Sequence, residues 1–414
     1  MPAQQRDCIW SDLRSHPMRA LTLGKLGRSN IDPFRAPRTS RMMQVFEFAV
    51  RASGEIENSA VPTSVRRLGA ADSMPGPDPM SSTLETDPLV TIAIPTFNRA
   101  TWLRDCVRLA LMQSYPRFEV LVSDNASTDE TALVLSQFKD ERLRVVRQLK
   151  NVVATANWNA CVAQARGEYI VFVPDDDRIA PWLLERCISV IRREPQVPIV
   201  MALGEARVVA SGRTLPPLAS RNFKTGVWDG LDILEEYLKQ RITVQGCTTM
   251  LRSERLRASG GFPMGWPFAG DLARHLPLLL EGKAGFVNEC CGSYSLHDAT
   301  QTSHLALERH LDDIRKLVDL ITHTAEERIK DERRRRQLQL QAKHFLARQA
   351  VGILISYRKR GAELSDLRPV LWKWQGRLVA LRAQDFFNAM TLFCWLLLPA
   401  PLIAWLRSIK RNLM

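Results

Sequence analysis

Residues Gly167–Ile179 read GEYIVFVPDDDRI: an apolar run that ends abruptly in three consecutive aspartates. Tyr169, Ile170, Val171, Phe172 and Val173 are aromatic or β-branched, with no polar residue alternating among them. That is the pattern of a strand buried on both faces of a parallel sheet. Such a strand delivers its carboxyl end to the ligand crevice of an open α/β sheet. Asp175, Asp176 and Asp177 therefore concentrate negative charge at a sheet edge, where their repulsion calls for a cation or for solvent. A solvated acidic turn would read the same in isolation. The place of the triplet, after a buried strand, favours a hard divalent ion such as Mg²⁺ or Mn²⁺, which takes carboxylates together with substrate phosphates.

Upstream the pattern alternates. Val90–Ile94 reads as a strand, Trp102–Met112 as an amphipathic helix, Phe118–Val122 as a strand and Ala132–Phe138 as a helix. Leu143–Val146 is a third strand and Asn157–Ala165 a third helix. Strict strand and helix alternation predicts an α/β fold with a doubly wound, mainly parallel sheet and right-handed crossovers. Two loops, PTFNR (Pro95–Arg99) and SDNAS (Ser123–Ser127), then face the same crevice as the triplet. Asp124 is placed either to accept hydrogen bonds from a nucleotide or to close a local Asx turn. The first strand is followed neither by G-x-G-x-x-G nor by a P-loop, so a dinucleotide fold and a P-loop enzyme are unsupported.

The chain has 414 residues, enough for one large domain with appendages or for two domains, and a formal net charge of +13 that attracts anions without choosing among them. The positive charge is not interleaved with aromatics, which argues against specific nucleic-acid binding. The eight cysteines show no CxxC pair or Cys/His metal spacing, as expected of reduced packing thiols in a cytoplasmic protein. No secretory signal pattern opens the chain. Residues 1–87 carry scattered Pro, Ser, Gly and Arg and are expected to be a largely disordered extension. Residues 301–414 are expected to be mainly helical, with RRRR at Arg333–Arg336 on a solvated face or against anionic lipid. Within them Phe386–Leu406 is the most apolar stretch, broken by Pro399 and Pro401. It reads either as an interfacial anchor on the cytoplasmic leaflet or as a docking helix.

PLVTIAIPTFNRATWLRDCV, FEVLVSDNASTDET and NWNACVAQARGEYIVFVPDDD, in this order and spacing, resemble family 2 glycosyltransferases. These are inverting enzymes of the GT-A fold that use nucleotide-diphosphate sugars. The resemblance spans Pro88–His297 and implies a GT-A domain over residues 88–300. It also implies a nucleotide-binding set of Pro95, Phe97, Asp124, Asn157, Asn159, Asp175 and Asp176, and a metal set of Asp175, Asp177 and His297 for Mg²⁺ or Mn²⁺. GGFPMGWPFAGDLARHLPLLLEG resembles the acceptor-side segment and puts Asp271 on the catalytic base, where an isolated reading would make it a helix cap. The chain departs from the family pattern at Trp158 and Ser295, positions at which relatives carry arginine. A glycan, glycolipid or lipid-linked acceptor is implied, in surface polysaccharide or glycolipid synthesis. Two other readings remain open at this point. One is a Mg²⁺-dependent phosphohydrolase or nucleotidyltransferase, although PTFN stands where a phosphohydrolase usually has its nucleophilic aspartate. The other is a non-catalytic nucleotide-sugar-binding or membrane-peripheral assembly protein of the same fold.

Overall fold

The computed structural model describes residues 87–219, 223–297, 306–360 and 362–378. The expectations for residues 1–86 and for the apolar stretch Phe386–Leu406 lie outside them. Five elements of the first half follow the expected alternation: β1 (Val90–Thr96), α1 (Ala100–Leu111), β2 (Phe118–Asp124), α2 (Thr131–Ser136) and β3 (Leu143–Arg147). α3 (Ala154–Gln164) then leads into β4 (Tyr169–Phe172), the organising strand, which is buried throughout. β1 pairs in parallel with both β2 and β4, and β2 with β3, so this half is a purely parallel sheet.

The second half is mixed. β5 (Arg178–Ile179), α4 (Leu183–Ile191), β6 (Ile199–Val208), β7 (Thr214–Leu215), β8 (Gly226–Asp229) and α5 (Gly230–Leu238) precede β9 (Val244–Arg252). β9 runs antiparallel to β4 on one side and to β6 on the other. After α6 (Ser253–Ala258) and α7 (Gly270–Leu278), β10 (Lys283–Leu296) pairs in parallel with β6. Among the described residues the strand order is β3-β2-β1-β4-β9-β6-β10-β5, with β7 on β6 and β8 on β10. Because β6 and β10 regain the direction of β4, their carboxyl ends return to the same edge as the aspartate triplet.

Apolar side chains fill both faces of the sheet. On one face Leu103 and Val107 of α1 and Leu183 and Ile188 of α4 pack on Ile92, Val120 and Val171. The other face, with Ala93, Leu121, Ile170 and Met201, is covered by α3, α5 and α7 and also by the long helices α8 (Leu307–Arg328) and α9 (Glu332–Arg360). Leu311, Ile314, Leu317, Val318 and Ile321 form one stripe of α8 at helical spacing, and Leu338, Ala342 and Phe345 of α9 join the same core. α10 (Leu364–Leu378) adds Leu367 and Val370. The basic run Arg333–Arg336 is largely tied to the protein itself. Arg334 reaches Asp229 at 3.2 Å and Asp232 at 2.7 Å, Arg335 donates to the Ile329 carbonyl, and Arg336 pairs with Glu332. Among the described residues no helix is long and apolar enough to cross a membrane.

Candidate active site

The parallel register sets Thr96 at the end of β1 opposite Asp124 at the end of β2, so the two loops that follow lie side by side. Hydrogen bonds lace them together. The Asn98 N–H donates to Ser127 Oγ at 2.9 Å, the Thr128 N–H donates to Asn98 Oδ1 at 2.7 Å, and the Ala100 N–H donates to Asp129 Oδ2 at 3.0 Å. Asp129 also accepts from the Thr131 N–H. One carboxylate from the second loop thus closes the amino ends of both α1 and α2, where orphan N–H groups favour an anion.

The triplet sits at this edge and is almost closed to solvent. Asp175 Oδ2 accepts from Thr96 Oγ1 at 2.7 Å, and Asp175 Oδ1 lies 3.2 Å from Arg99 Nη1. The same Arg99 Nη1 is paired with Asp176 Oδ2, which also lies 2.9 Å from His297 Nε2. The His297 ring stacks on Trp102 with centroids 4.7 Å apart. Burial, followed by repulsion from Asp176, pushes Asp175 above the usual carboxylate range. Burial works in the same direction on Asp176, yet its bonds to His297 and Arg99 hold it below that range. Asp177 is 2% exposed. Its Oδ1 accepts the Ser295 N–H at 2.8 Å, the Cys247 thiol is bonded to it, and burial raises it well above the ordinary value. Beside Asp176 and Asp177 opens a cavity of about 270 Å³, lined also by Trp102, Asp105, Arg178 and Arg207.

The donor set suits a cation at one place. Asp175 Oδ1 and Asp176 Oδ2 converge on a single cationic nitrogen, that of Arg99. Two carboxylates with room for substrate phosphates make a common Mg²⁺ arrangement. The converging pair is Asp175 with Asp176, whereas the resemblance implied Asp175, Asp177 and His297; Asp177 is engaged by the β10 backbone, and His297 lies against Asp176. Among the described residues no three His, Cys, Asp or Glu side chains are gathered so as to hold a metal by themselves.

The remaining positions divide sharply. Phe97 is 38% exposed at the mouth of the crevice, and Pro95 is buried in β1. Asp124 is paired with Arg147 and accepts the Ser127 N–H at 2.9 Å, which is the Asx-type turn. Asn157 is buried, donating to the Ser123 carbonyl at 3.0 Å and accepting from Ser123 Oγ at 2.7 Å, so its amide pins α3 to β2. Asn159 donates to the Phe262 carbonyl at 3.0 Å and accepts the Phe262 N–H at 2.7 Å. It clamps the loop between α6 and α7 across 103 residues of chain. Gly261 there has φ +77°, and an added Cβ would lie 2.4 Å from Asn159 Oδ1, so only glycine fits. Both asparagine amides are thus occupied by the protein's own polar groups.

Asp271 stands in the first turn of α7. Its Oδ1 accepts the Leu272 N–H at 2.8 Å, and burial pushes it above the usual carboxylate range. Among the described residues no cation offsets that burial. β9 joins this carboxylate to the triplet. A Cβ on Gly246 would lie 3.1 Å from Asp271 Oδ2, while the next residue, Cys247, is bonded to Asp177.

Residues 91–255 match the family model described as glycosyl transferase family 2. Residues 91–255 are a segment of glycosyltransferase family 2 type. The chain is 27% identical over 212 residues to the putative teichuronic acid biosynthesis glycosyltransferase TuaG of Bacillus subtilis, covering 50% of this chain and 79% of that protein. It is likewise 27% identical over 228 residues to the hyaluronan synthase of Pasteurella multocida, covering 54% of this chain but only 22% of that protein. Among solved structures, S. aureus TarS 1–349 in complex with UDP-GlcNAc superposes with a TM-score of 0.52 at 18% identity, covering 73% of this chain and 92% of that one. The fold is GT-A.

Several residues of this site escape a sequence reading. Arg99 is the closest cation to the triplet, yet in the sequence it is one arginine in a loop. Trp158, which replaces an expected arginine, stacks on Phe172 of β4 with centroids 5.2 Å apart and meets Phe262 edge-on at 5.1 Å. It ties the strand before the triplet to the loop between α6 and α7. Its helical spacing alone could not distinguish such a tie from an ordinary core position.

Proposed function

We propose that this chain transfers a sugar from a nucleoside-diphosphate donor to an acceptor hydroxyl with inversion, in the synthesis of a surface polysaccharide. Residues 88–300 carry the transferase site, and the helices that follow buttress it. The observation that carries the reading is the presence of two unlike carboxylate centres in one site: a pair at Asp175 and Asp176 that converges on a cation, and Asp271, which has no counter-cation among the described residues. The names of relatives, one in teichuronic acid biosynthesis and one a hyaluronan synthase, support a polysaccharide product. The UDP-GlcNAc complex of the TarS neighbour supports a nucleotide-sugar donor.

An acceptor hydroxyl is a poor nucleophile at neutral pH and needs a base within hydrogen-bond reach. Asp271 fills that role, its raised basicity suiting it to take the proton as the hydroxyl attacks. Asp175 and Asp176 would hold a divalent ion, which when bound supplies Lewis-acid stabilisation of the leaving diphosphate. Arg99 must then leave the pair, and its guanidinium is placed to meet phosphate oxygens. Phe97 at the mouth offers a face for the base. A base on one side and a diphosphate site on the other suit a single in-line displacement.

The test is a panel of nucleotide sugars, each with and without Mn²⁺, followed by thermal shift and by release of nucleoside diphosphate. A ligand of the folded state raises the melting temperature by mass action. One donor should stabilise the protein in a metal-dependent way, and Asp176→Ala should remove the effect. If no donor binds with any metal, the reading is wrong.

A further inference from the structure

We propose that Asp313 of α8 is a positioning residue for the reaction: it fixes the start of α7 and thereby the place of Asp271. The inference rests on the reading of Asp271 as the base.

α7 has no side-chain cap of its own, since Ala269 occupies the N-cap position. The N–H groups of Phe268 and Ala269, just before the helix, both donate to Asp313 Oδ2, at 2.8 and 3.3 Å. One turn earlier on α8, the His310 ring lies 3.9 Å from that of Phe268. Two side chains from one helix therefore grip one dipeptide, two residues before Asp271. Asp313 is 1% exposed, with Lys316 Nζ 3.9 Å from its Oδ1. Burial raises it, and the two N–H donors pull the other way. The apolar stripe of α8 already docks this helix, so packing does not require a carboxylate here, and burying one is costly unless it is hydrogen-bonded.

The other end of the loop is also held. Asn159 clamps Phe262, leaving Pro263–Pro267 between the two clamps, with Met264 57% exposed and Gly265 at φ +80°. The segment is fixed at both ends and open in the middle, as an acceptor-facing loop must be if the base beyond it is to stay in place. A displacement of about 1 Å in a catalytic group can cost on the order of a hundredfold in rate.

The experiment compares full-length wild type, Asp313→Asn, Asp313→Ala and Asp271→Asn, using the nucleotide sugar from the panel that turns over. Asp313→Ala should lower kcat roughly 10- to 100-fold at unchanged donor KM. As water reaches Asp271, the acidic limb of kcat should move to lower pH; Tyr237 of α5 is the titratable neighbour to be controlled by Tyr237→Phe. Asp313→Asn keeps an oxygen that accepts both N–H groups and should retain most of the activity. A kcat within twofold of wild type in Asp313→Ala overturns the proposal. So does a loss with no shift of the limb and no rescue by asparagine. If Asp313→Ala does not fold, Asp313→Ser replaces it, and equal activity of the serine and asparagine variants overturns the proposal. Should Asp271→Asn turn over normally, the base assignment itself fails. An inactive Asp271→Asn beside an unimpaired Asp313→Ala removes only the positioning role.

Discussion

Asp175 and Asp176 share a guanidinium, with a threonine hydroxyl on the first and an imidazole on the second, whereas Asp271 has a backbone N–H and no cation among the described residues. Asp175 and Asp176 are buried and Asp271 is half-buried, but the sharper difference lies in their partners. Asp176, bonded to His297 and Arg99, is held below the usual carboxylate range, while burial and the neighbouring Asp176 raise Asp175, so this centre carries one low and one high carboxyl around a shared cation. Asp271 is raised by burial with no cation beside it among the described residues and is ready for a proton. β9 passes both regions, with Gly246 beside Asp271 and Cys247 bonded to Asp177, the third residue of the triplet. A single strand thus keeps apart two chemistries that would cancel if the charges met.

The largest expected effect is at the unpartnered centre. Asp271→Asn should lower transfer by about 10²- to 10⁴-fold while donor affinity by thermal shift stays the same. Near-normal turnover would end the contrast between the two centres. In the intact enzyme, the raised Asp271 makes kcat fall on acidification at a higher pH than an ordinary carboxylate would, and a pH–rate profile checks it.

At the partnered centre, Arg99→Ala leaves two buried carboxylates without their shared cation and should cost about 1–3 kcal/mol, read as a lower urea midpoint. Millimolar Mg²⁺ or Mn²⁺ should recover part of that loss in the variant and have less effect on wild type. Equal responses would mean that metal and guanidinium do not share a position. Between the centres, Asn159→Ala should cost about 1–2 kcal/mol and lower kcat at constant donor KM. A raised donor KM instead would return Asn159 to the nucleotide.

The smallest effect has the opposite sign. With its folded pKa raised, Asp271 contributes stability that is complete below its unfolded pKa and is lost as pH rises through the folded value. Asparagine is neutral throughout. Asp271→Asn should therefore melt higher than wild type near pH 8, with the gap closing towards pH 4. A lower melting temperature at pH 8 would show that Asp271 is not held basic at the expense of stability.

The parallel half was legible because each strand is apolar enough, and each intervening helix periodic enough, to be read locally. The triplet stood out for the same reason: a buried run such as YIVFV does not end in three acids without cause. Less was legible where partners lie far apart in sequence. The register of β9 between β4 and β6, the turn of Asp177 towards Ser295, the exchange between Asn159 and Phe262, and the grip of Asp313 on Phe268 all join segments that no local pattern connects. Asn157 and Asn159 show the cost of this. Adjacent to a crevice in sequence, they read as ligand contacts; in the fold the amide of buried Asn157 is bonded to Ser123 and that of half-buried Asn159 to Phe262, partners that no local pattern shows.

The sheet face covered by α8 and α9 has a practical meaning for anyone who cuts this chain. The family match ends at residue 255, but that is where resemblance stops and not where folding does. A fragment ending near His297 would shed Leu311, Ile314, Leu317 and Phe345 and leave the apolar surfaces they cover facing water. Insoluble expression would then report on a missing wall and say nothing of the enzyme. The shortest fragment worth making runs through α10.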